Sequence, residues 1–374
     1  MYVLNDEETL LAGSAADFFA SRSPVSAFRH LRDSNDPTGF DRGLWREMAG
    51  LGWTGLLVDE AHGGTGFGHR GTAIIARAMG RHLVASPFLS TAVLGSMALA
   101  HASDDMRKLH LPRLVEGELI LALALDETPR YAPAFTAMTA IPDGDAFVLS
   151  GEKCAVIDGH VADCLLVATR TAPGPQGRSL FLVDRKQPGI SVDRLSMIDN
   201  RNLARIRFDG VRLAAAQLVG SHGEARAILA AVLDAGHLAL AAELLGIAEE
   251  VFARTLDYLR QRRQFGVPIG SFQALQHRAS LIHCQIELAH SAVMAAARKL
   301  DAGSADASLQ VSVARVKAAD AAILATDEAV QMHGGIGMTD ELDIGLFLKR
   351  ARVASTLLGT PAYHTDRAAC LLGF

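Results

Sequence analysis

The feature that most constrains this 374-residue chain is a double change in its hydrophobic pattern. Residues 1–118 repeat apolar side chains at a spacing near 3.6, which predicts helices. Residues 119–220 carry short apolar runs separated by Gly and Pro, which is typical of strands. From residue 221 onward the helical spacing returns. The pattern predicts a mainly α protein with a central β domain: an N-terminal helical domain 1–118, a middle β-barrel or sandwich 119–220, and a C-terminal four-helix bundle 221–374.

The last third gives the clearest helix predictions. Long helices are expected around 224–262, 272–300 and 306–333, and the segment 301–304, which reads DAGS, breaks two of them apart. One helix should be buried on all sides, because residues 238–248 are almost entirely apolar.

The bulk composition excludes several classes of protein. Hydrophobic residues make up 49% of the chain and charged residues 21%, which argues against disorder. A net charge of -5 gives no excess of basic residues that would indicate nucleic-acid binding. There is no run of about 18 uncharged apolar residues, so no membrane span is expected. The acidic start at Asn5 to Glu8 does not resemble a secretory signal, and the sequence therefore predicts a cytoplasmic protein.

Four cysteines occur, and none forms a CxxC pair: Cys154, Cys164, Cys284 and Cys370. This spacing suggests neither a zinc site nor a disulfide framework, so no metal is predicted. We interpret the four residues as small buried hydrophobes.

Two segments in the last third carry the chemistry. Residues 258–273 read YLRQRRQFGVPIGSFQ, and residues 331–338 read QMHGGIGM. Glycines such as Gly334 and Gly335 allow a backbone to approach a ligand closely. Arg262 offers a planar fork of donors that suits phosphate.

Each of these features also has a purely structural explanation. A Gly-Gly pair after a helix is commonly a helix C-cap, and an arginine within the sequence RQRR is commonly a solvated surface charge. The two glutamines, Gln273 and Gln331, offer amide groups to phosphate, ribose or adenine but equally to water. The occurrence of both segments in one chain, in this order, favours a binding role.

Together these segments resemble the two signature stretches of the acyl-CoA dehydrogenase family, and the helix–sheet–helix order matches as well. The resemblance implies a flavin adenine dinucleotide (FAD) cofactor, an acyl-CoA substrate and electron transfer to an electron-transfer flavoprotein. It also implies that the segments hold the nucleotide half of a flavin bound by a neighbouring subunit, in a dimer or tetramer of this chain or of related chains. The cofactor contacts it implies are Glu127, Arg262, Gln264, Phe265, Gln273, Gln331, Gly334, Gly335 and Thr360.

The sheet domain departs from the family pattern. A Thr-Glu-Pro stretch followed by Gly-Ser-Asp normally hydrogen-bonds the flavin, but residues 125–133 read LDETPRYAP, so that Glu127 is kept and Gly-Ser-Asp is not. A Trp followed two residues later by a hydroxyl residue is expected in the segment 151–158, which reads GEKCAVID. Ala155 and Ile157 stand at those two positions, and neither side chain donates a hydrogen bond.

The catalytic base is a second departure. The family places its carboxylate either just before the Gly-Thr pair or early in the helix leading to the first segment, and this chain has Leu358 and Gly236 there. Glu243 lies two turns beyond Gly236 on the same helix face and is the predicted base. A structural ion pair with an arginine of the bundle is the alternative for Glu243. His237 is a further acid–base candidate, with a packing role as its alternative.

These departures resemble the heteromeric bacterial branch of the family, which acts on sterol-type or otherwise bulky acyl-CoA substrates. Two functions therefore remain open. The chain is either an active FAD-dependent acyl-CoA dehydrogenase or a non-catalytic subunit that completes a partner's flavin site. A less favoured third possibility keeps the fold and flavin but changes the chemistry to that of an oxidase or monooxygenase.

Overall fold

A computed structural model describes residues 4–172 and 177–374 of the chain. The chain separates into two compact units. The helical unit comprises Met1–Asp33, His69–Val84 and His237–Phe374. The sheet unit comprises Ser34–Gly68 and Ala85–Gly236.

Eleven α-helices and ten strands occur in the described residues. The helices are α1 (Asp6–Arg22), α2 (Val25–Asp33), α3 (Arg42–Gly50), α4 (His69–His82), α5 (Ser96–Leu99), α6 (Asp104–Val115), α7 (Ala225–Gln261), α8 (Gln273–Asp301), α9 (Ala307–His333), α10 (Ile344–Ala354) and α11 (Pro361–Leu371). The strands are β1 (Leu121–Ala124), β2 (Thr139–Asp143), β3 (Ala146–Ile157), β4 (Cys164–Arg170), β5 (Arg178–Asp184), β6 (Ile190–Leu195), β7 (Leu203–Ala214), β8 (Leu218–Val219), β9 (Arg263–Gln264) and β10 (Val267–Pro268).

Polar caps fix the starts of helices in the helical unit. Helix α1 begins with a capping box, in which Asn5 Oδ1 accepts the Glu8 N–H at 2.8 Å and Glu8 Oε2 accepts the Asn5 N–H at 2.9 Å. Helix α4 is capped from outside, because the Asp301 carboxylate accepts the His69 N–H at 2.6 Å. Arg70 Nη1 then donates to the buried Glu8 at 2.7 Å, which ties the ends of α1, α4 and α8 together.

Helices α4 and α7 cross at two glycines. A Cβ at Gly80 would lie 2.1 Å from the Glu243 carbonyl oxygen, and a Cβ at Gly246 would lie 1.9 Å from the Arg77 carbonyl oxygen. Any side chain at either position would therefore collide with the opposing backbone. The glycines permit the close crossing that buries the middle of α7.

Helix α7 contains an 18-residue stretch with a mean hydropathy of 1.8, which by length and composition alone would cross a membrane. However, 83% of that stretch is buried inside the protein. Burial on all sides is what an apolar core helix requires, as expected for residues 238–248.

The sheet unit is built around two long antiparallel strands, β3 and β7, that pair over their full length. The strand order is β6-β7-β3-β2-β4-β5-β8, and β1 pairs in parallel with β4. Bulges interrupt β3 between Leu149 and Gly151 and between Lys153 and Val156. The second bulge holds Ala155 at φ +53°, so the chain bends at this point.

The three predicted long helices are present as α7, α8 and α9, with bounds that differ by at most one residue from expectation at each end. The interpretation of the cysteines is wrong for two of the four, because Cys284 and Cys370 are exposed, and Cys154 and Cys164 are only partly buried. Cys284 lies between the exposed Leu281 and Leu288 on α8, and composition does not reveal this exposure.

Candidate functional site

The first signature segment forms a two-residue hairpin that projects a phenyl ring into solvent. Strands β9 and β10 pair through Gln264 and Val267, and the turn residues between them, Phe265 and Gly266, both have positive φ, at 52° and 80°. Positive φ costs a bulky residue on the order of 1–3 kcal/mol. Phe265 is nevertheless 91% exposed and touches Phe272 edge-on, with ring centroids 6.1 Å apart.

The second segment ends α9 at a glycine that no other residue can replace. Gly334 has φ 65° and ψ -141°, a conformation essentially reserved for glycine, and caps the helix by donating its N–H to the Gln331 carbonyl. It is thus the C-cap that the structural explanation expects. A Cβ at Gly334 or Gly335 would meet nothing within 4 Å, so the backbone here faces open space.

The two segments meet through Tyr258 and His333. Their rings stack with centroids 4.3 Å apart and an interplanar angle of 30°. The Tyr258 hydroxyl donates to the His333 carbonyl at 3.2 Å. This contact joins the end of α7, which leads into the hairpin, to the end of α9, which leads into the glycines. Sequence reasoning did not select either residue.

The predicted nucleotide-binding residues of the helical unit lie on exposed surface: Arg262, Gln264, Phe265, Gln273, Gln331, Gly334, Gly335 and Thr360. Apolar side chains are exposed in the same segments, including Met338 at 80%. Helix α8, which starts at Gln273, exposes Leu281 and Leu288 as well. Exposed apolar groups in this number are typical of an interaction surface.

Thr360 begins α11. Its hydroxyl accepts the Tyr363 N–H at 3.2 Å, and Pro361 follows at the first helical position. The preceding turn holds Leu358 at φ 52°. Buried Arg315 fixes that turn by donating to the carbonyls of Leu357 and Gly359, at 2.8 and 3.2 Å.

The predicted base, Glu243, has an arginine partner. Arg350 of α10 donates Nε and Nη2 to the two carboxylate oxygens of Glu243. The side chains are 14% and 8% exposed, for Glu243 and Arg350 respectively. This is the geometry that the ion-pair alternative for Glu243 expects.

His237, the other acid–base candidate, is buried in α7 and lies edge-on to the buried His364 at a centroid distance of 4.5 Å. The pKa of His364 is lowered to about 2. Burial is the main cause, and the neighbouring His237 and Arg315 also disfavour a positive charge on His364.

In the sheet unit, Glu127 closes the loop between β1 and β2. Its carboxylate accepts the Ala137 N–H at 2.8 Å and the Met138 N–H at 3.1 Å. Lys153, with a fully buried side chain, donates Nζ to Glu127 at 2.6 Å and to the Leu125 carbonyl at 3.1 Å. Glu127 therefore shapes this loop from within, and its predicted cofactor contact stays a prediction.

The neighbouring Asp126 is the polar group that sequence reasoning missed. Its Oδ1 atom is buried and has no hydrogen-bond partner within residues 4–172 and 177–374. Ala155 and Ile157, at the family's Trp and hydroxyl positions, are partly buried and apolar. The signal was available in the sequence, because Asp126 is an acidic residue directly after the apolar run 119–125.

Comparison with known proteins identifies the family. Models of the acyl-CoA dehydrogenase N-terminal, middle and C-terminal domains match residues 5–118, 130–211 and 215–370. Residues 119–129, which include Asp126 and Glu127, lie between the matched ranges.

Among characterised relatives, the 3-(aryl)acrylate reductase of Clostridium sporogenes is 30% identical over 341 residues, covering 88% of this chain and 90% of that protein. A chain of the Tcur3481-Tcur3483 steroid ACAD is 31% identical, with a TM-score of 0.88 and 98% of each chain covered. The ChsE4-ChsE5 complex from Mycobacterium tuberculosis contains a chain that is 27% identical, with a TM-score of 0.90, covering 99% of this chain and 98% of that one.

The chain therefore belongs to the acyl-CoA dehydrogenase family. Membership makes it an oxidoreductase that acts on acyl-CoA with FAD as its cofactor. Two observations fit a bound cofactor. Gly334 and Gly335 leave open space in the helical unit, and in the sheet unit the buried Asp126 Oδ1, which has no partner among the described residues, offers a polar contact.

Proposed function

We propose that this chain is a subunit of an FAD-dependent acyl-CoA dehydrogenase that desaturates the α,β bond of an acyl-CoA thioester. The flavin, when bound, supplies the acceptor for the hydride that leaves the β carbon. The electrons then pass to an electron-transfer flavoprotein, and the protein works in the cytoplasm. The family resemblance supports the desaturation and the electron-transfer partner, and the composition supports the location.

The observation that carries the proposal is the exposed hairpin beside the glycines. A strained turn that presents Phe265 almost fully to solvent has no use in a monomer, because an exposed phenyl ring adds nothing to folding. It is useful if the ring packs against a neighbouring chain. Arg262 on the same hairpin then offers its guanidinium to the diphosphate of the flavin held there.

The surroundings of the hairpin suit an anion. Helix α8 begins at Gln273, and its N-cap residue, Phe272, makes no side-chain hydrogen bond to the first turn. The positive end of a 29-residue helix favours phosphate. We infer that Arg262, Gln264, Gln273 and Gln331 form the polar rim of the nucleotide site, with Phe265 as its apolar anchor.

The first test is Arg262→Ala with Arg260→Ala as its matched control. Arg260 is in the last turn of α7 and Arg262 directly follows the helix; both are exposed, and Arg260 is paired with Asp257 at 3.0 Å. Loss of one charge-assisted contact to phosphate weakens binding by roughly 1.5–3 kcal/mol, or about 10- to 150-fold. FAD affinity should fall by that factor in Arg262→Ala and stay within about twofold in Arg260→Ala. Equal affinity in both variants would remove the proposal's basis.

A second candidate function is supported by the ion pair of Glu243. A carboxylate held by two hydrogen bonds from a buried arginine is stabilised in its charged form and fixed in position, whereas a base must reach a substrate proton. With Leu358 and Gly236 at the family's other base positions, this chain would complete a partner's site without performing proton abstraction itself.

Likeness to chains of a steroid ACAD and of the two-component ChsE4-ChsE5 complex favours this second function, and with it a bulky, sterol-type acyl group. The two functions separate in one experiment. Activity is measured for Glu243→Gln alone and after co-expression with a related dehydrogenase subunit. A loss of 100-fold or more in a variant that circular dichroism shows to be folded identifies Glu243 as the base. Activity that needs the partner and survives Glu243→Gln identifies a supporting subunit.

A further inference from the structure

Two aspartates shortly after the second signature segment are bound by three arginines from other parts of the helical unit. Asp340 accepts a hydrogen bond from Arg29 Nη1 at 2.9 Å and two from Arg32, from Nη1 at 2.6 Å and from Nη2 at 2.8 Å. Asp343 accepts hydrogen bonds from Arg29 Nη2 at 2.8 Å and from Arg254 Nη1 at 3.1 Å. We call these five residues the arginine clamp.

The geometry of the clamp fixes position more than it adds stability. Arg29 bridges both aspartates with one guanidinium, and Arg32 meets Asp340 through two parallel hydrogen bonds. The Asp340 side chain is nevertheless 63% exposed. An isolated ion pair at such a site contributes little to stability, whereas a bidentate network holds its members in place. The main effect of the clamp is therefore on where the chain after the glycines lies.

Arg254 ties the clamp to the core of the helical unit. Its Nε donates to Glu250, one turn earlier on α7, at 2.9 Å, and its guanidinium lies 5.3 Å from the centre of the Phe347 ring. Phe347, in α10, is fully buried. Asp343 is the N-cap residue of α10 but makes no side-chain hydrogen bond to that helix. Its carboxylate instead binds arginines of α2 and α7, which fix the start of α10 from outside.

The glycine segment, residues 334–338, lies between two anchors. The stacking of Tyr258 on His333 fixes its start, and the arginines on Asp340 fix the chain just after its end. Between the anchors, Gly334 and Gly335 face open space. A backbone that receives a ligand binds it more tightly when its conformation is fixed beforehand, because less freedom is lost on binding.

We propose that Arg29 and Arg32 of α2 are positioning residues for the nucleotide site, acting through Asp340 on the glycine segment. The inference rests on the proposed function, which puts the nucleotide end of FAD at the polar rim that includes Gln331. It extends that site to a helix that belongs to neither signature segment. The alternative is that the clamp only attaches α2 to the bundle, and this would change stability without changing nucleotide affinity.

Asp340→Asn removes the charge that the two arginines of α2 bind. The affinity for FAD should fall by about 3- to 10-fold, because the glycine segment must then be ordered on binding. ADP-ribose, which has the nucleotide end of FAD and lacks the flavin ring, should lose the same factor. Arg32→Gln should have a smaller effect, since Arg29 still binds Asp340. The double variant should bind FAD no more weakly than Asp340→Asn alone, because both changes break one connection.

The measurement is binding to the purified full chain, by quenching of flavin fluorescence for FAD and by calorimetry for ADP-ribose. Asp306→Asn is the matched control, because it breaks an exposed ion pair with Lys299, 3.0 Å long, at the end of α8 remote from Gln273. Both affinities should stay within about twofold in this variant. Urea unfolding of each variant separates a change in stability from a change in affinity.

The inference is overturned if Asp340→Asn binds FAD as tightly as the natural chain, whether or not its stability falls. It is also overturned if the affinity for FAD falls and that for ADP-ribose does not, or if the losses in the two single variants add in the double variant. Failure of the proposed function is distinguishable, because Arg262→Ala would then bind FAD as tightly as the natural chain. A natural chain that binds neither ligand overturns both.

Discussion

Arg350 donates two parallel hydrogen bonds to Glu243, from Nε to Oε1 at 2.7 Å and from Nη2 to Oε2 at 2.8 Å. The pair joins α10 to the middle of α7, where Glu243 is the one charged residue between 238 and 248. An apolar helix tolerates that charge because Arg350 is also buried and its planar guanidinium matches the two oxygens of the carboxylate.

Breaking this pair should destabilise the protein strongly. Glu243→Gln leaves the Arg350 charge buried without its counter-charge, so the free energy of unfolding in urea should fall by about 3–5 kcal/mol. The double variant Glu243→Leu, Arg350→Met removes both charges and should recover most of that loss, since apolar replacements of buried pairs are often neutral. A Glu243→Gln variant as stable as the natural chain would show that the pair is not structural.

The glycine crossing of α4 and α7 predicts opposite effects for two identical substitutions. Gly80→Ala places a methyl group 2.1 Å from the Glu243 carbonyl and should cost about 1–3 kcal/mol or more. Gly13→Ala, within α1, meets nothing within 4 Å and should stabilise the chain by about 0.5–1 kcal/mol. Thermal or urea unfolding of both variants tests this prediction. Stability changes of the same sign in the two variants would contradict the close crossing of α4 and α7.

The buried His364 predicts a loss of stability in acid. Its pKa is lowered to about 2 in the folded chain, against about 6.5 when unfolded. Below pH 6.5 the unfolded chain therefore binds a proton that the folded chain does not. This one residue should lower the free energy of unfolding by about 1.4 kcal/mol for each pH unit. At higher pH it should have no such effect.

Urea unfolding of the natural chain and of His364→Gln at pH 7, 6 and 5 measures this contribution. The difference between the two stabilities should change steadily below pH 6.5, in favour of the variant. Parallel pH profiles for the two proteins would mean that His364 is protonated, or hydrated, in the folded state.

The helices and their order were predictable because the determinants are local. The apolar spacing and the DAGS break place α7, α8 and α9 almost to the residue. The site was predictable as far as the two signature segments. The contacts between residues distant in sequence were not predictable. Glu243 and its partner Arg350 are 107 residues apart, and the stacked Tyr258 and His333 are 75 residues apart. The conformation of Phe265 also escaped prediction, because its neighbours in sequence do not require positive φ.

The most direct test is whether the hairpin lies at a junction between chains. Sedimentation velocity with simultaneous detection of protein and flavin absorbance tests this for the natural chain of 39.7 kDa and for Phe265→Asp. We expect flavin to sediment only with assemblies of two or more chains, and Phe265→Asp to lose the assembly and the flavin together. A natural chain that sediments as a monomer with its flavin bound would contradict it.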